Sequence, residues 1–448
     1  MRSSILFGLS AIVCLAASLC GCSQTLIATP YVMYGEAGRA YYDRVPETLR
    51  SAEAPIIYVT DRAVDRTTPS GPHYGFKRNP RFVYGLATAT LGTNATWDQI
   101  VADSTSPDHR QNYRPGVTKV EELGSFTPIA ALMEPKDGWI RPKPDALETL
   151  FADTETFHAL IARQAEQAGA KDVVLFVHGF NNTFDDAVIR MAMAWHMGGR
   201  VGLPMVYTWP AGSGGLLGYF FDRESGEFTI VHLKRLIVAL ATCPGIERIH
   251  IIAHSRGTDV ATTALRELNS EIRGASGAGY VSKVLGLTER AGADAYGERP
   301  PYKLLKLATL VLAAPDLDME VFQQRFFGEN LLNIAERTVI YISPADQAIA
   351  IANWLFGSKN RIGTLKAKDM TPEQQDRLSK VTRLELINCD VKGGSSHAYA
   401  AQHPSALSDL ILLLRDRVTP GPGTSRPLTQ PIPGVWEMSN TYLKPGSK

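Results

Sequence analysis

Cysteine is scarce: the chain has 448 residues and 5 cysteines, and three of these, Cys14, Cys20 and Cys22, fall in its first 22 positions. Beyond them only Cys243 and Cys389 remain. Cys243 precedes one strand and Cys389 follows a later one, at opposite ends of a parallel sheet, so no disulfide between them is expected. An excess of charge is also missing. Lys+Arg number 46 against 45 Asp+Glu, a formal net charge of +1, which excludes the basic footprint of a nucleic-acid binder. Nucleotide motifs are lacking too. Gly212–Gly218 follows a strand, but Leu217 stands where a dinucleotide fingerprint needs Gly or Ala, and no phosphate-binding Lys follows. His250 and His254 are spaced like metal ligands but lie on a strand and its end without an acidic third ligand. No cofactor and no metal are expected.

A membrane-length apolar run is the last absence. Ile5–Leu19 is too short and poorly flanked to span a bilayer, and Arg2 before it makes it the core of a targeting signal. It ends in Leu19-Cys20-Gly21-Cys22, which resembles a bacterial lipobox. Residues 1–21 would then be a lipoprotein signal peptide, and Cys22 the acylated first residue of the mature chain. Two or more acyl chains there would give stable anchoring, where one gives marginal binding. The expected location is the cell envelope, with the periplasmic face of the outer membrane favoured in a Gram-negative cell because Ser23, not Asp, follows.

What is present centres on residues 249–261, Ile-His-Ile-Ile-Ala-His-Ser-Arg-Gly-Thr-Asp-Val-Ala. An apolar β-branched run becomes a small-residue helix start, with Ser255 at the joint. A small-x-Ser-x-Gly turn between strand and helix is a nucleophile elbow, which strains the serine and lifts its Oγ above the sheet. Ala253 and Gly257 are the small residues that let strand and helix approach, although Ala253 stands where Gly is commoner.

Around this turn the chain alternates. Strands are read at Asp172–Val177, Pro204–Thr208, Ile246–Ala253, Leu304–Ala313, Thr338–Ile342 and Val381–Asn388. Helices are read at Asp145–Gly169, Asp185–Met197, Phe228–Ala241, Thr258–Leu268 and Pro404–Arg417. Fully apolar strands alternating with helices call for a mostly parallel central sheet covered on both faces, an α/β fold. Residues 22–54 read as a membrane tether and 55–144 as a β-rich extension of the main sheet, with strands at Ile56–Val59, Phe82–Leu91 and Thr118–Phe126. Residues 145–418 form the catalytic domain. Residues 419–448 are a Pro/Gly-rich tail expected to be extended and exposed. Gly212–Glu227 and Ser270–Pro301 read as insertions at strand ends, where lids arise.

A serine hydroxyl needs a base and an oxyanion site. His397, in the glycine-rich loop between the last strand and final helix, fits the base; His403, at that helix start, is its rival. Two acids follow strands: Asp346 after Thr338–Ile342, which is favoured, and Asp316 after Leu304–Ala313. The backbone N–H groups of Phe180 and Arg256 would hold the oxyanion. His178 is read as a turn residue, not a catalyst.

The segments Tyr58–Arg62, His178-Gly179-Phe180-Asn181-Asn182, Tyr207–Ala211, Ala253–Gly257 and Ser343–Asp346, in this order, resemble the landmarks of a bacterial α/β-hydrolase family largely of unknown function, esterase- or lipase-like. The resemblance runs from about Ile56 to Val418 and departs at Asp61, where that family more often has Asn, and in the Ala-rich second insertion. It implies the α/β-hydrolase fold and a Ser-His-Asp site, without a substrate. The expected activity is ester hydrolysis through an acyl-enzyme on a small-molecule or lipid-like ester. The alternatives are acyl transfer to an envelope acceptor by the same site, and a non-catalytic binding lipoprotein.

Overall fold

The computed structural model describes residues 27–108, 113–212, 214–274, 283, 285, 300–343, 346, 371–390, 397 and 399–446. The signal segment with Cys22, and most of the second insertion, lie outside them. Alternating burial along the strands builds an 11-stranded sheet in the order β12-β13-β11-β10-β9-β8-β6-β7-β1-β2-β3. It begins with the long hairpin β1 (Glu53–Thr68) and β2 (Gly71–Thr90), continued antiparallel by β3 (Gly116–Phe126). A separate pair, β4 (Met133–Lys136) and β5 (Trp139–Pro142), stands apart from it.

The central strands β6 (Asp172–Val177), β7 (Leu203–Thr208), β8 (Arg248–His254), β9 (Leu307–Ala313), β10 (Arg337–Ile342) and β11 (Leu384–Asp390) pair in parallel. β12 (Thr429–Ile432) and β13 (Val435–Ser439) complete the far edge. Helices α1 (Gly35–Tyr42) and α2 (Trp97–Ser104) lie near the start, and α3 (Ala146–Ala168) leads into β6. Helix α4 (Phe184–Met197) follows β6, α5 (Gly215–Thr242) follows β7, and α6 (Gly257–Arg273) follows β8. Helix α7 (Pro404–Arg415) precedes the final hairpin.

Period-two burial sends Val173, Leu175, Val177, Ile249, Ile251 and Ala253 into one core with α3, α5 and α6. Opposite residues face α4 near β1 and β7, and α7 near β10 and β11. The chain lays β7 on one side of β6 and β8 on the other. The crevice between β6 and β8 is therefore a topological switch point, the place where loops at strand C-termini diverge and leave room for a ligand.

Four expectations are corrected. Residues 27–54 are not a free tether: Met33 and Tyr42 are fully buried, and Met33 packs with Ile411 of α7. The tail is not exposed throughout. β13 pairs with β11, and Arg426, Leu428 and Met438 are buried. Gly212–Glu227 is mostly not a loop but the first half of α5. Gly215, Gly218 and Gly226 disguised it by their low helix propensity. At Gly226 a side chain would crowd Val260 of α6, so the glycine permits close packing of the two helices. Cys243 and Cys389 are buried free thiols, Cys389 lying inside β11 rather than after it. No helix among the described residues is long and apolar enough to cross a membrane.

Candidate active site

Ser255 follows directly on β8 with φ of 52°, a left-handed conformation a serine adopts only when its surroundings impose it. The surroundings are identifiable. Its N–H donates to the Ala313 carbonyl at the end of β9, at 3.0 Å. Its carbonyl accepts from the Thr258 N–H at 3.0 Å and the Thr258 hydroxyl at 2.7 Å. Gly257 is obligatory here: a Cβ would lie 2.4 Å from the His178 carbonyl oxygen and 2.6 Å from that of Val177. Ala253 is fully buried in the sheet core.

His397 and Asp346 converge on this serine. His397 Nε2 lies 2.8 Å from Ser255 Oγ, and its Nδ1 lies 2.9 and 3.1 Å from the two oxygens of Asp346. An ionised carboxylate only accepts, so Nδ1 carries the proton and donates; Nε2 of the neutral ring then accepts from the serine hydroxyl. Asp346 is buried, whereas the His397 side chain keeps 20% exposure, enough to meet a substrate. Asp316, the other acid considered, reaches the serine through its backbone N–H, 3.4 Å from the Ser255 carbonyl. His403 is elsewhere: it caps α7 by accepting from the Ser405 N–H, and its Nε2 meets Asn440.

The loop after β6 lies against the serine. A Cβ at Gly179 would be 2.8 Å from Ser255 Cβ, so only glycine allows this approach, which brings the Phe180 end of the loop to the site. His178 is fully buried, stacked on Trp209, with Nδ1 donating to the Gly179 carbonyl at 2.9 Å. Burial first, and then Arg62, hold its pKa well below the ordinary value of 6.5. The Arg256 side chain is drawn away by Asp259 at 2.9 Å, which Arg325 also grips at 2.7 Å. Burial pushes the Asp259 carboxyl up, but the two arginines prevail and hold it below its ordinary value. Arg256 is thus fixed at the N-terminus of α6, where backbone N–H groups lack intrahelical partners.

Sequence reading missed the groups that hold this loop. Arg62, 1% exposed, donates to the carbonyls of Gly75, Ala211 and Asn182 at 2.7–2.9 Å and to Thr208 Oγ1. Burial lowers its pKa to about 10, still cationic at neutral pH. Asp222 on α5 accepts from the N–H groups of Asn181 and Gly212 at 3.0 and 3.3 Å. Asp61 points the other way, accepting from Tyr207, Thr229 and His232 in a buried cluster. His254 faces His397: its Nε2 lies 3.3 Å from the His397 carbonyl, and burial followed by His397 and Arg190 lowers its pKa to about 3. A neutral ring can donate to that carbonyl and brace the His397 backbone. Only Tyr58–Arg62 hinted at the arginine, as one of the landmark segments.

A mostly parallel sheet covered by helices on both faces, with a strained serine between its central strand and the following helix, defines an α/β-hydrolase. The chain belongs to the family described as Alpha/beta hydrolase of unknown function (DUF900), which matches residues 153–417. The matched span begins within α3 and takes in Ser255, Asp346 and His397, while Tyr58–Arg62 lies outside it. No curated protein and no solved structure matches the chain.

Proposed function

We propose that this chain is a serine hydrolase of carboxylic esters, held at a bacterial envelope membrane by acylated Cys22. The observation that carries the reading is the continuous hydrogen-bonded path from strained Ser255 through His397 to buried Asp346. Ser255 Oγ attacks the ester carbonyl as its proton passes to His397 Nε2. Asp346 fixes the tautomer and stabilises the imidazolium. The Phe180 and Arg256 N–H groups receive the oxyanion, each worth roughly 3–4 kcal/mol of barrier. Collapse expels the alcohol with the proton from His397 and leaves an acyl-Ser255 ester. Water, deprotonated by the same histidine, then frees the acid. No step calls on a cofactor or a metal.

An apolar acyl group suits the surroundings. Phe220 is half exposed near the start of α5, and Phe221 meets the exposed Phe76 edge-on at 5.8 Å, beside the Asp222 that holds the site loop. A p-nitrophenyl ester series of increasing acyl length tests the reaction: turnover is expected, falling to background in Ser255→Ala. Turnover by Ser255→Ala equal to wild type would refute it. Radiolabelled palmitate should enter the chain in cells and be lost in Cys22→Ser; unchanged labelling would refute the anchor.

A further inference from the structure

The opposite end of the sheet carries a second cleft. Asp172 and Val174 of β6 and His250 and Ile252 of β8 form its floor, while α4 and α7 form walls that include Ala194, Trp195, Leu410 and Ile411. Its volume is about 80 Å³. His250 precedes Ser255 by five residues of extended chain, about 17 Å, so this cleft is separate from the serine.

The lining is apolar except at two places: Arg415, whose guanidinium is held by Asp416 at 3.0 and 3.1 Å, and the pair of His250 and Asp172. His250 is 1% exposed, and among the described residues neither of its ring nitrogens finds a hydrogen-bond partner; its Nε2 lies 3.7 Å from Asp172 Oδ2, beyond hydrogen-bond reach. Oδ1 of Asp172 is also unpartnered. Leaving such groups dry in an apolar wall is costly, which marks them as groups awaiting a partner. Their chemistry restricts that partner. Asp172 is already neutralised by Arg248 Nε at 2.9 Å, so the local charge is balanced and a neutral head group is called for. A carboxylate would face the Asp172 carboxylate directly. A hydroxyl has one proton to donate and lone pairs to accept with, and so matches an imidazole N–H together with a carboxylate oxygen.

We infer that the cleft between α4 and α7 is a binding site for a neutral amphipath, an apolar chain ending in one hydroxyl, with the hydroxyl on His250 and Asp172. The chain lies along Val174, Ile252, Trp195 and Leu410, and the site is distinct from the one proposed to hydrolyse esters.

The probe is 1-hexanol, with hexanoate as the charged counterpart, titrated into the purified chain while the His250 ring resonances are followed by NMR. Hexanol should shift them saturably, and hexanoate should bind at least tenfold more weakly. Ala194→Leu, which narrows the cleft, should abolish the shift. Calorimetric titration of His250→Phe should show at least tenfold weaker hexanol binding, an arm that stands if the leucine variant does not fold. An unmoved His250 resonance, equal binding of hexanoate, or unchanged affinity in these variants would overturn the inference, the first meaning that the cleft holds water only.

Discussion

At the scale of single residues, the two candidate acids separate on geometry. Asp346 carries two contacts to His397 Nδ1, whereas the contact of Asp316 with the serine is from its backbone N–H to the Ser255 carbonyl. Asp346→Asn is expected to lower kcat about 10⁴-fold with the fold intact, because an amide no longer fixes the productive tautomer. Asp316→Asn is expected to cost less than tenfold; steady-state rates beside circular dichroism decide between them. The positions of the candidate nucleophile and base could be read in the sequence because each lies next to a strand end. Ser255 ends an apolar run, and His397 is the histidine in the loop after the last parallel strand before α7. The acid was legible only as a preference for Asp346 from its place between serine and histidine, since both aspartates follow strands and chain order alone does not say which carboxylate faces the ring.

At the scale of elements, long-range clamps matter more than local pattern. Arg62 and Asn182 are 120 residues apart, and no periodicity signals that the first would hold the second. Arg62→Gln should leave Ser255 in place but loosen the loop carrying Phe180. A fall of 10-fold or more in kcat with KM little changed is the expected signature of a lost transition-state contact. A rise in KM alone would contradict it. The C-terminal hairpin was hidden for a different reason: Pro431, Pro433 and Gly434 interrupt it, and its two strands are only 4 and 5 residues long. Its anchor is ionic. Arg426 is fully buried, pairs with Asp409 through two contacts of 2.8–2.9 Å and reaches Glu385 at 2.9 Å, and Tyr341 and Tyr442 complete the Asp409 shell at 2.7 Å. Arg426→Ala leaves the buried Asp409 without its cation, and Glu385 with Arg337 alone at 3.4 Å, and should cost about 3–5 kcal/mol in urea unfolding. A loss below 1 kcal/mol would show the hairpin to be dispensable.

At the scale of the whole molecule, the α/β class follows from apolar strands alternating with amphipathic helices. The packed N-terminal residues and the sheet-extending tail do not, because their stability comes from docking onto a body already formed. Buried histidines give that body an acid-sensitive stability. Burial first, then Arg200, holds His196 well below 6.5, as burial and Arg62 hold His178, and His254 sits at about 3. Above pH 6.5 these rings are neutral in both folded and unfolded chains, so stability is fully present. Below it the unfolded chain takes up protons that the folded one refuses. Each ring then removes about 1.4 kcal/mol per pH unit as pH falls toward the folded pKa. Unfolding free energy should therefore drop steeply between pH 6.5 and 5, before most carboxylates titrate; a flat profile there would contradict the assignment of neutral buried rings.

The proposed function turns on Ser255 being a nucleophile activated by His397. Its most direct test is labelling of the purified chain with a fluorophosphonate, followed by peptide mass spectrometry. One adduct is expected, on Ser255, lost in Ser255→Ala and in His397→Ala but retained in His403→Ala. No adduct, or an adduct that survives Ser255→Ala, would contradict it.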